Sequence, residues 1–329
     1  MAERGSGIPV VIMGLGQIGQ AIARAALKRP ELRLMGAVDS RFAGRSLQSI
    51  LNEPCPDIQV DLDPARALGA SRGGVVLHAT GSALESVVGQ IEQAVEAGLS
   101  VVSTCEELAY PWLRYESLAE KLDQLCDKND VCVVGTGVNP GFALDRLPAF
   151  LSQVVGPVRH ILGVRVADAA LRRENLQRKI GAGLTEEAFH EAADRGALGH
   201  VGLAESAALA ALGCGLELDE VDEEIEPVLA ERDHDAVAVP VKRGQVSGIH
   251  HVARGFAEGQ EVVMLDLTLA IGAEDPCDEV ELDAEPPLRI MVPGGIPGDA
   301  ATVWAVVNAA LPVTLLRGLV SVLDLPAGR

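Results

Sequence analysis

The sequence has no Cys-x-x-Cys pair, no apolar run long enough to cross a bilayer and no excess of basic charge. Each absence excludes something. The six cysteines, Cys55, Cys105, Cys126, Cys132, Cys214 and Cys277, show no metal-like spacing with histidine. Cys126 and Cys132 are near in sequence but flank a loop and a strand. All six read as reduced thiols of a cytoplasmic protein, and no metal site is expected. An uninterrupted apolar run of about eighteen residues is missing, so no transmembrane helix is expected. Residues 1–7 lack the apolar core of a signal peptide and read as a frayed lead-in. With 27 Lys and Arg against 47 Asp and Glu, the formal charge of −20 argues against nucleic acid and anionic membrane as partners. The acid is densest at residues 217–226 and 274–285, each read as a solvated face or loop. No internal repeat or low-complexity segment is evident. What is present is a globular composition, 48% hydrophobic, in 329 residues, enough for two domains with separate cores.

The most informative stretch is Pro9-Val10-Val11-Ile12-Met13-Gly14-Leu15-Gly16-Gln17-Ile18-Gly19. A strand-like apolar run meets Gly14, Gly16 and Gly19, and a helix-patterned segment follows. In a βαβ unit Gly14 permits the tight turn, Gly16 lets the backbone approach a pyrophosphate, and Gly19 lets helix and strand pack closely. The N–H groups of this loop, Leu15, Gln17 and Ile18 included, lie at a helix N-terminus suited to phosphate. The second strand, from Leu32 to Val38, ends in Asp39, an acid placed for the adenosine ribose hydroxyls. Beyond it come Ser40, Arg41 and Arg45. A guanidinium there could hold the 2′-phosphate of NADP, whereas Asp39 favours NAD, so dual use of NADP and NAD is predicted; the alternative for either arginine is a solvated loop position.

The following strand ends supply the chemistry. The strand from Val75 to His78 opens into Ala79, Thr80 and Gly81, which should touch the cofactor because ligands bind beyond the carboxyl ends of such strands. His78, inside the apolar strand, reads as a satisfied core histidine. The next strand ends at Thr104-Cys105-Glu106-Glu107-Leu108. Two acids facing the cofactor crevice, Glu106 and Glu107, are the best catalytic candidates, with Thr104 in the cofactor-binding set. A capping box, Thr104 with Glu107, is the competing structural reading. It fits Glu107 better, so Glu106 ranks first. Residues 130–134 read as the last strand of this sheet and lead into Gly135-Thr136-Gly137-Val138-Asn139-Pro140-Gly141-Phe142. Asn139 suits a nicotinamide carboxamide, with Pro140 beside it in the cofactor-binding set; Pro140 and Gly141 fix the crossover, and Phe142 is assigned to the substrate.

From there the pattern changes. A helix at 145–155 and a strand at 158–167 precede a basic run, Leu171 to Gly181. Strands are expected near 237–241, 246–253, 261–271, 278–282 and 289–292, with a helical insertion at 184–218. The fold class is therefore α/β: a Rossmann doubly wound parallel sheet at 1–141 and 295–329, plus a second α+β domain with an open mixed sheet at 142–294 for substrate and dimerisation. A tight turn at 294–302 and a helix at 303–311 return the chain to the first domain. In the insertion, His200, Leu203 and Ser206 recur at a spacing of three and could line one wall of a substrate site, with Thr185 supplying a hydroxyl. His200 is equally an ordinary capping or interface histidine. Arg172, Arg173, Arg178 and Lys179 could anchor a carboxylate or face solvent or a partner subunit.

Taken in order, the segments 14–19, 103–111, 135–142, 179–185, 199–206 and 294–302 together resemble the 2,4-diaminopentanoate dehydrogenase family. That family includes native NAD(P)-dependent amine dehydrogenases and has a dihydrodipicolinate reductase-like N-terminal domain. The resemblance implies reductive amination of a ketone or aldehyde with ammonia and NAD(P)H, and the reverse deamination. It also implies that a glutamate of Thr104-Cys105-Glu106-Glu107-Leu108 is essential. The expected partners are a small carbonyl or amine substrate and ammonia, in a homodimer. Within this reading, simple amines compete with 2,4-diaminopentanoate, an amino acid substrate. A sugar or alcohol oxidoreductase of the same build would place Glu-Lys-Pro where Glu106-Glu107-Leu108 stands. A dinucleotide-sensing regulator would need a DNA module that nothing basic here supplies. His250-His251-Val252-Ala253-Arg254 approaches the His-His-x-x-Lys signature of dihydrodipicolinate reductases. It has Arg for Lys, lies late in the chain and lacks the following Asp-Ala-Pro-Ser-Gly-Thr run, so that reaction is rejected.

Overall fold

The computed structural model describes residues 7–235 and 237–328, so the lead-in expected at 1–7 lies outside them except for Gly7. The chain forms two compact units, Met1–Phe142 with Pro297–Arg329, and Ala143–Ile296.

The first unit begins with β1 (Ile8–Met13), α1 (Gln17–Ala26), β2 (Leu32–Val38), α2 (Leu47–Leu51), α3 (Pro64–Gly69), β3 (Val75–His78), α4 (Leu84–Glu96), β4 (Ser100–Ser103), α5 (Glu116–Asn129) and β5 (Cys132–Gly135). The second unit holds α6 (Arg146–Leu151), β6 (His160–Asp168), α7 (Glu174–Lys179), α8 (Glu186–Asp194), α9 (Leu203–Gly213), β7 (Glu220–Leu229), β8 (Val246–Ala257), β9 (Gln260–Ala270), β10 (Cys277–Asp283) and β11 (Leu288–Pro293). The chain then returns to the first unit with α10 (Gly298–Ala309) and β12 (Gly318–Val320).

In the first unit six strands run parallel in the order β12-β5-β4-β3-β1-β2. Every residue of β3, β4 and β5 is buried. A strand covered on both faces reads as an unbroken apolar run rather than an alternation, as these do. Against the sheet α4 turns Leu84, Val87, Ile91 and Val95 inward at helical spacing. Burying each side chain is worth about 1.5–3 kcal/mol. The sequence reading closed this sheet at residues 130–134, and here the structure corrects it. Leu319 of β12 pairs with Val133, so the C-terminal tail adds a sixth strand. Three residues are too few to carry a periodicity, so the strand was invisible as a pattern. The expected turn at 294–302 is shorter than read, because α10 already begins at Gly298. Residues Gly298–Leu315 are apolar enough by composition for a bilayer, with mean hydropathy 1.2. In the fold they instead lay Val303, Val306, Val307 and Val313 into the unit, and α10 packs on α1, where Arg29 Nη1 donates to Asn308 Oδ1 at 2.8 Å.

The second unit is a mixed sheet in the order β11-β10-β6-β9-β8-β7, in which β6 and β9 are parallel and every other pair antiparallel. Helix α9 packs on β7, β8 and β9, and all its residues from Leu203 to Ala211 are buried. On the opposite side of the sheet Leu162, Val164, Val262 and Met264 stay half-exposed. One expectation fails here. Residues 237–241 form no strand, since only an isolated bridge joins His234 to Val241. The acidic stretch at 217–226, read as a solvated face or loop, is a solvated face: its acids are exposed, and it contains most of β7, which pairs along its whole length with β8. As an edge strand it has one free side, and charges there discourage pairing with another chain. The second acidic stretch, by contrast, is not wholly solvated. Asp278 and Glu279 are buried in β10, where Asp278 pairs with the Arg165 guanidinium and accepts the Ile296 N–H at 2.5 Å. The helix expected at 145–155 ends as α6 at Leu151 and continues as a 3-10 turn over Ser152–Val154.

Candidate cofactor and catalytic site

The site is built at the carboxyl ends of the parallel strands. Gly14 stands at φ +91°, and a Cβ there would lie 2.5 Å from Ala79 O. A Cβ on Gly19 would lie 1.9 Å from Gly14 O. No side chain fits at either position, so the first turn of α1 lies directly on the loop. Helix α1 starts at Gln17 with Gly16 as its N-cap and no side-chain cap. Its first N–H groups and its positive dipole end are therefore open to an anion. This cradle fits the pyrophosphate of a dinucleotide.

Asp39, at the end of β2, has a second task. Its Oδ2 accepts the Leu15 N–H at 2.7 Å, and its Oδ1 accepts those of Arg41 and Phe42 at 2.8 and 3.2 Å. The carboxylate thus ties the glycine loop to the following turn. Beside it the guanidinium groups of Arg41 and Arg45 both lie over the Phe42 ring, 5.6 and 5.4 Å from its centroid. These two cations stand together and exposed at the β2 end of a strongly acidic protein. Ser40 is exposed between them and Asp39.

The two glutamates have different surroundings. Glu107 Oε2 accepts the Leu84 N–H at the first residue of α4, at 2.7 Å. The Tyr115 hydroxyl also bonds to Glu107, and burial together with that carboxylate pushes the phenol up to about 12. Glu107 N–H donates to Ser82 O at 3.3 Å, and the Cys105 thiol donates to the same oxygen at 3.1 Å. The Glu107 side chain is thereby a clamp between the β4 turn and the start of α4. The capping-box reading had the right residue and the wrong helix: Thr104 gives no side-chain cap, and Glu107 caps α4 across space rather than its own turn. Glu106 is the N-cap of the 3-10 turn Glu107–Ala109 and is half-buried. Its carboxylate has no hydrogen-bond or ion-pair partner among the described residues. Burial raises the Cys105 thiol to about 12, aided by both neighbouring carboxylates.

Thr104 is half-buried and donates its N–H to His78 O at 3.0 Å, joining the β3 and β4 ends. Asn139 and Pro140 lie in the buried turn after β5. That turn is held by Thr302 of α10, whose Oγ1 accepts the Val138 N–H at 3.2 Å. Thr302 was not singled out from the sequence, although it ends the Gly294–Thr302 motif. Phe142 closes this unit and is 41% exposed, enough to offer its ring to a ligand.

The remaining substrate candidates belong to the second unit. Thr185 is the N-cap of α8, its Oγ1 accepting the Ala188 N–H at 3.2 Å. Leu203 and Ser206 are fully buried on α9, and Ser206 Oγ donates to Asp145 Oδ2 at 2.8 Å. His200 does not share their helical face. Gly202, at φ +97°, is the N-cap of α9, so His200 lies in the preceding loop. The glycine break overrides the spacing of three. In the basic run, Arg178 pairs with Glu174 one turn earlier on α7.

Residues 142–329 match the family model of the 2,4-diaminopentanoate dehydrogenase C-terminal domain, which covers more than half of the chain. The chain belongs to this family. It is similar along its length to the 2,4-diaminopentanoate dehydrogenase of Acetoanaerobium sticklandii, with 29% identity over 98% of this chain and 94% of that protein. Among solved structures, the amine dehydrogenase from Mycobacterium smegmatis superposes with a TM-score of 0.87 at 22% identity, over 99% of this chain and 98% of that one. GenD2 from gentamicin A biosynthesis, solved in complex with NAD, aligns with a TM-score of 0.51 at 16% identity, over 88% of this chain and 72% of that one. The resemblance drawn from the motifs and the two-domain α/β fold both stand. As a member of this dehydrogenase family the protein is an oxidoreductase, and oxidation at CH–NH2 is the reaction class expected from its sequence.

Proposed function

We propose that the protein catalyses NAD(P)H-dependent reductive amination of a small ketone or aldehyde with ammonia, and the reverse oxidative deamination, with Glu106 as the acid-base group. The observation that carries the assignment is the contrast at the β4 end, where Glu107 is held by Leu84 and Tyr115 and Glu106 is free. Ammonium must lose a proton before it attacks the carbonyl, and the carbinolamine must lose water to give an iminium. A carboxylate at that place relays both protons and, as an anion, stabilises the iminium charge. The Gly14–Gly19 loop and the α1 N-terminus would hold the pyrophosphate, Asn139 the carboxamide, and Arg41 with Arg45 a 2′-phosphate. When bound, the dinucleotide supplies or accepts the hydride.

The Arg41–Phe42–Arg45 stack supports use of NADP. Asp39 is largely engaged by three backbone N–H groups, which weakens the case for NAD as the preferred partner while leaving it usable. The half-exposed face of the second sheet, with Leu162, Val164 and Met264 at its centre, supports a homodimer, and the six free thiols support a cytoplasmic setting. The alternative within the family is an amino acid substrate such as 2,4-diaminopentanoate. The deciding experiment is NADPH oxidation with and without ammonia, across cyclohexanone, short aldehydes and 2-amino-4-oxopentanoate. The reading predicts oxidation only when ammonia is present. Equal rates without ammonia refute it, and turnover confined to the amino ketone selects the alternative.

A further inference from the structure

Beneath the ends of β3 and β4 runs a chain of hydrogen bonds that the proposed chemistry does not use. His78 is 1% exposed. Its Nδ1 lies 2.7 Å from Ser103 Oγ, and its Nε2 lies 2.7 Å from Thr80 Oγ1 and 3.1 Å from Gln90 Oε1. Thr80 Oγ1 donates to Gln90 Oε1 at 2.8 Å, which uses its only proton. Thr80 therefore accepts from His78, the ring proton sits on Nε2, and Nδ1 accepts from the Ser103 hydroxyl. Ser103 Oγ in turn accepts the Cys105 N–H at 3.0 Å. The donors thus point one way, from the backbone of Cys105 to Gln90.

Two members of this chain lie at the proposed cofactor site. A Cβ on Gly14 would meet Thr80 Cγ2 at 2.9 Å, so Thr80 forms the floor of the glycine loop. Cys105 immediately precedes Glu106. We infer that His78 is a positioning residue that locks the glycine loop and the Glu106 turn into one fixed geometry, through Thr80 on one side and Ser103 on the other. This rests on the reading of Glu106 as the acid-base group. An imidazole suits the task because it offers one donor and one acceptor at opposite ends of a rigid ring. Burial pulls its pKa down to about 4, so the neutral tautomer persists at any ordinary working pH.

A merely structural role would lower stability without separating binding from turnover. The positioning role separates them. In the full-length protein Thr80→Val cuts the link to the glycine loop, and Ser103→Ala cuts the link to the acid turn, each by removing one oxygen. One hydrogen bond corresponds to about a two- to twelvefold effect. Thr80→Val should therefore raise the NADPH Kd, followed by cofactor fluorescence, by about that factor. The effect of Ser103→Ala should fall on kcat at saturating NADPH. His78→Gln, whose amide can still donate to Thr80, should follow Ser103→Ala. Should His78→Gln fail to fold, the two smaller variants carry the test alone. Kd and kcat moving in equal proportion in every variant, or neither moving, overturns the inference. If the wild-type protein neither binds NADPH nor turns over, the functional reading falls first, and that outcome is distinct.

Discussion

The sharpest prediction separates two adjacent glutamates by stability and by activity. Glu107→Ala removes the acceptor of the Leu84 N–H at the start of α4, an interaction of the N-cap kind worth about 0.5–2 kcal/mol. It also removes the partner of the Tyr115 hydroxyl, worth about 1 kcal/mol. Together these give about 1.5–3 kcal/mol, or a fall in Tm of about 3–12 °C for a unit of this size. Glu106→Ala leaves a half-buried position with no partner to lose, and its Tm should stay within about 2 °C. Activity should invert the order. Glu106→Gln should lose about 10²–10⁴ in the amination rate, whereas Glu107→Gln keeps an oxygen for Leu84 and retains most of it. The assay is NADPH oxidation with ammonia, paired with thermal unfolding of each variant. A Glu106→Gln protein with the full amination rate, beside a Glu107→Gln protein that is folded and dead, would refute the assignment.

Three further expectations use other parts of the fold. Gly19→Ala must displace the loop carbonyl of Gly14, at a cost of about 1–3 kcal/mol; titration with NADPH should show binding weakened about tenfold, and unchanged binding would exclude the cradle. Replacing both Arg41 and Arg45 by Ser should raise KM for NADPH with little change for NADH, and equal effects on the two would remove the 2′-phosphate assignment. The third concerns pH. Because His78 has its pKa lowered from 6.5 to about 4, the unfolded chain takes up the proton first as pH falls. Its contribution is whole above about pH 6.5 and is lost between there and pH 4, about 3 kcal/mol in all. Urea midpoints at pH 7 and 4.5 should show this slope in the wild type and a flatter one in His78→Gln.

What could be read from the chain was what repeats or what allows no substitute. The buried strands announced themselves as apolar runs, and Gly14 and Gly19 stand where no Cβ fits. The segments that escaped had weaker local signals. Strand β12 is three residues long, and β7 is an edge strand whose acids mimic a loop. At the site, strand position found Glu106, but only the fold shows that Glu107 reaches α4, twenty-three residues back in the chain. His200 illustrates the opposite error. A spacing of three means a shared face only within an unbroken helix, and Gly202 breaks it. The Ser103–His78–Thr80 connection joins two strand ends and a turn, so no periodicity could have announced it.

The C-terminal strand has one more consequence. Strand β12 closes the sheet beside β5, and between the two in sequence stands the entire second unit. A ribosome releases all of that unit before the sheet of the first unit receives β12. Strand β12 is thus made after the whole second unit, and until then β5 has an open hydrogen-bonding edge. Removing the last dozen residues would leave every residue of the glycine loop and both glutamates in the chain, yet expose the strand on which the Asn139 turn is built. For this protein, integrity of β12 is a condition on keeping that edge covered.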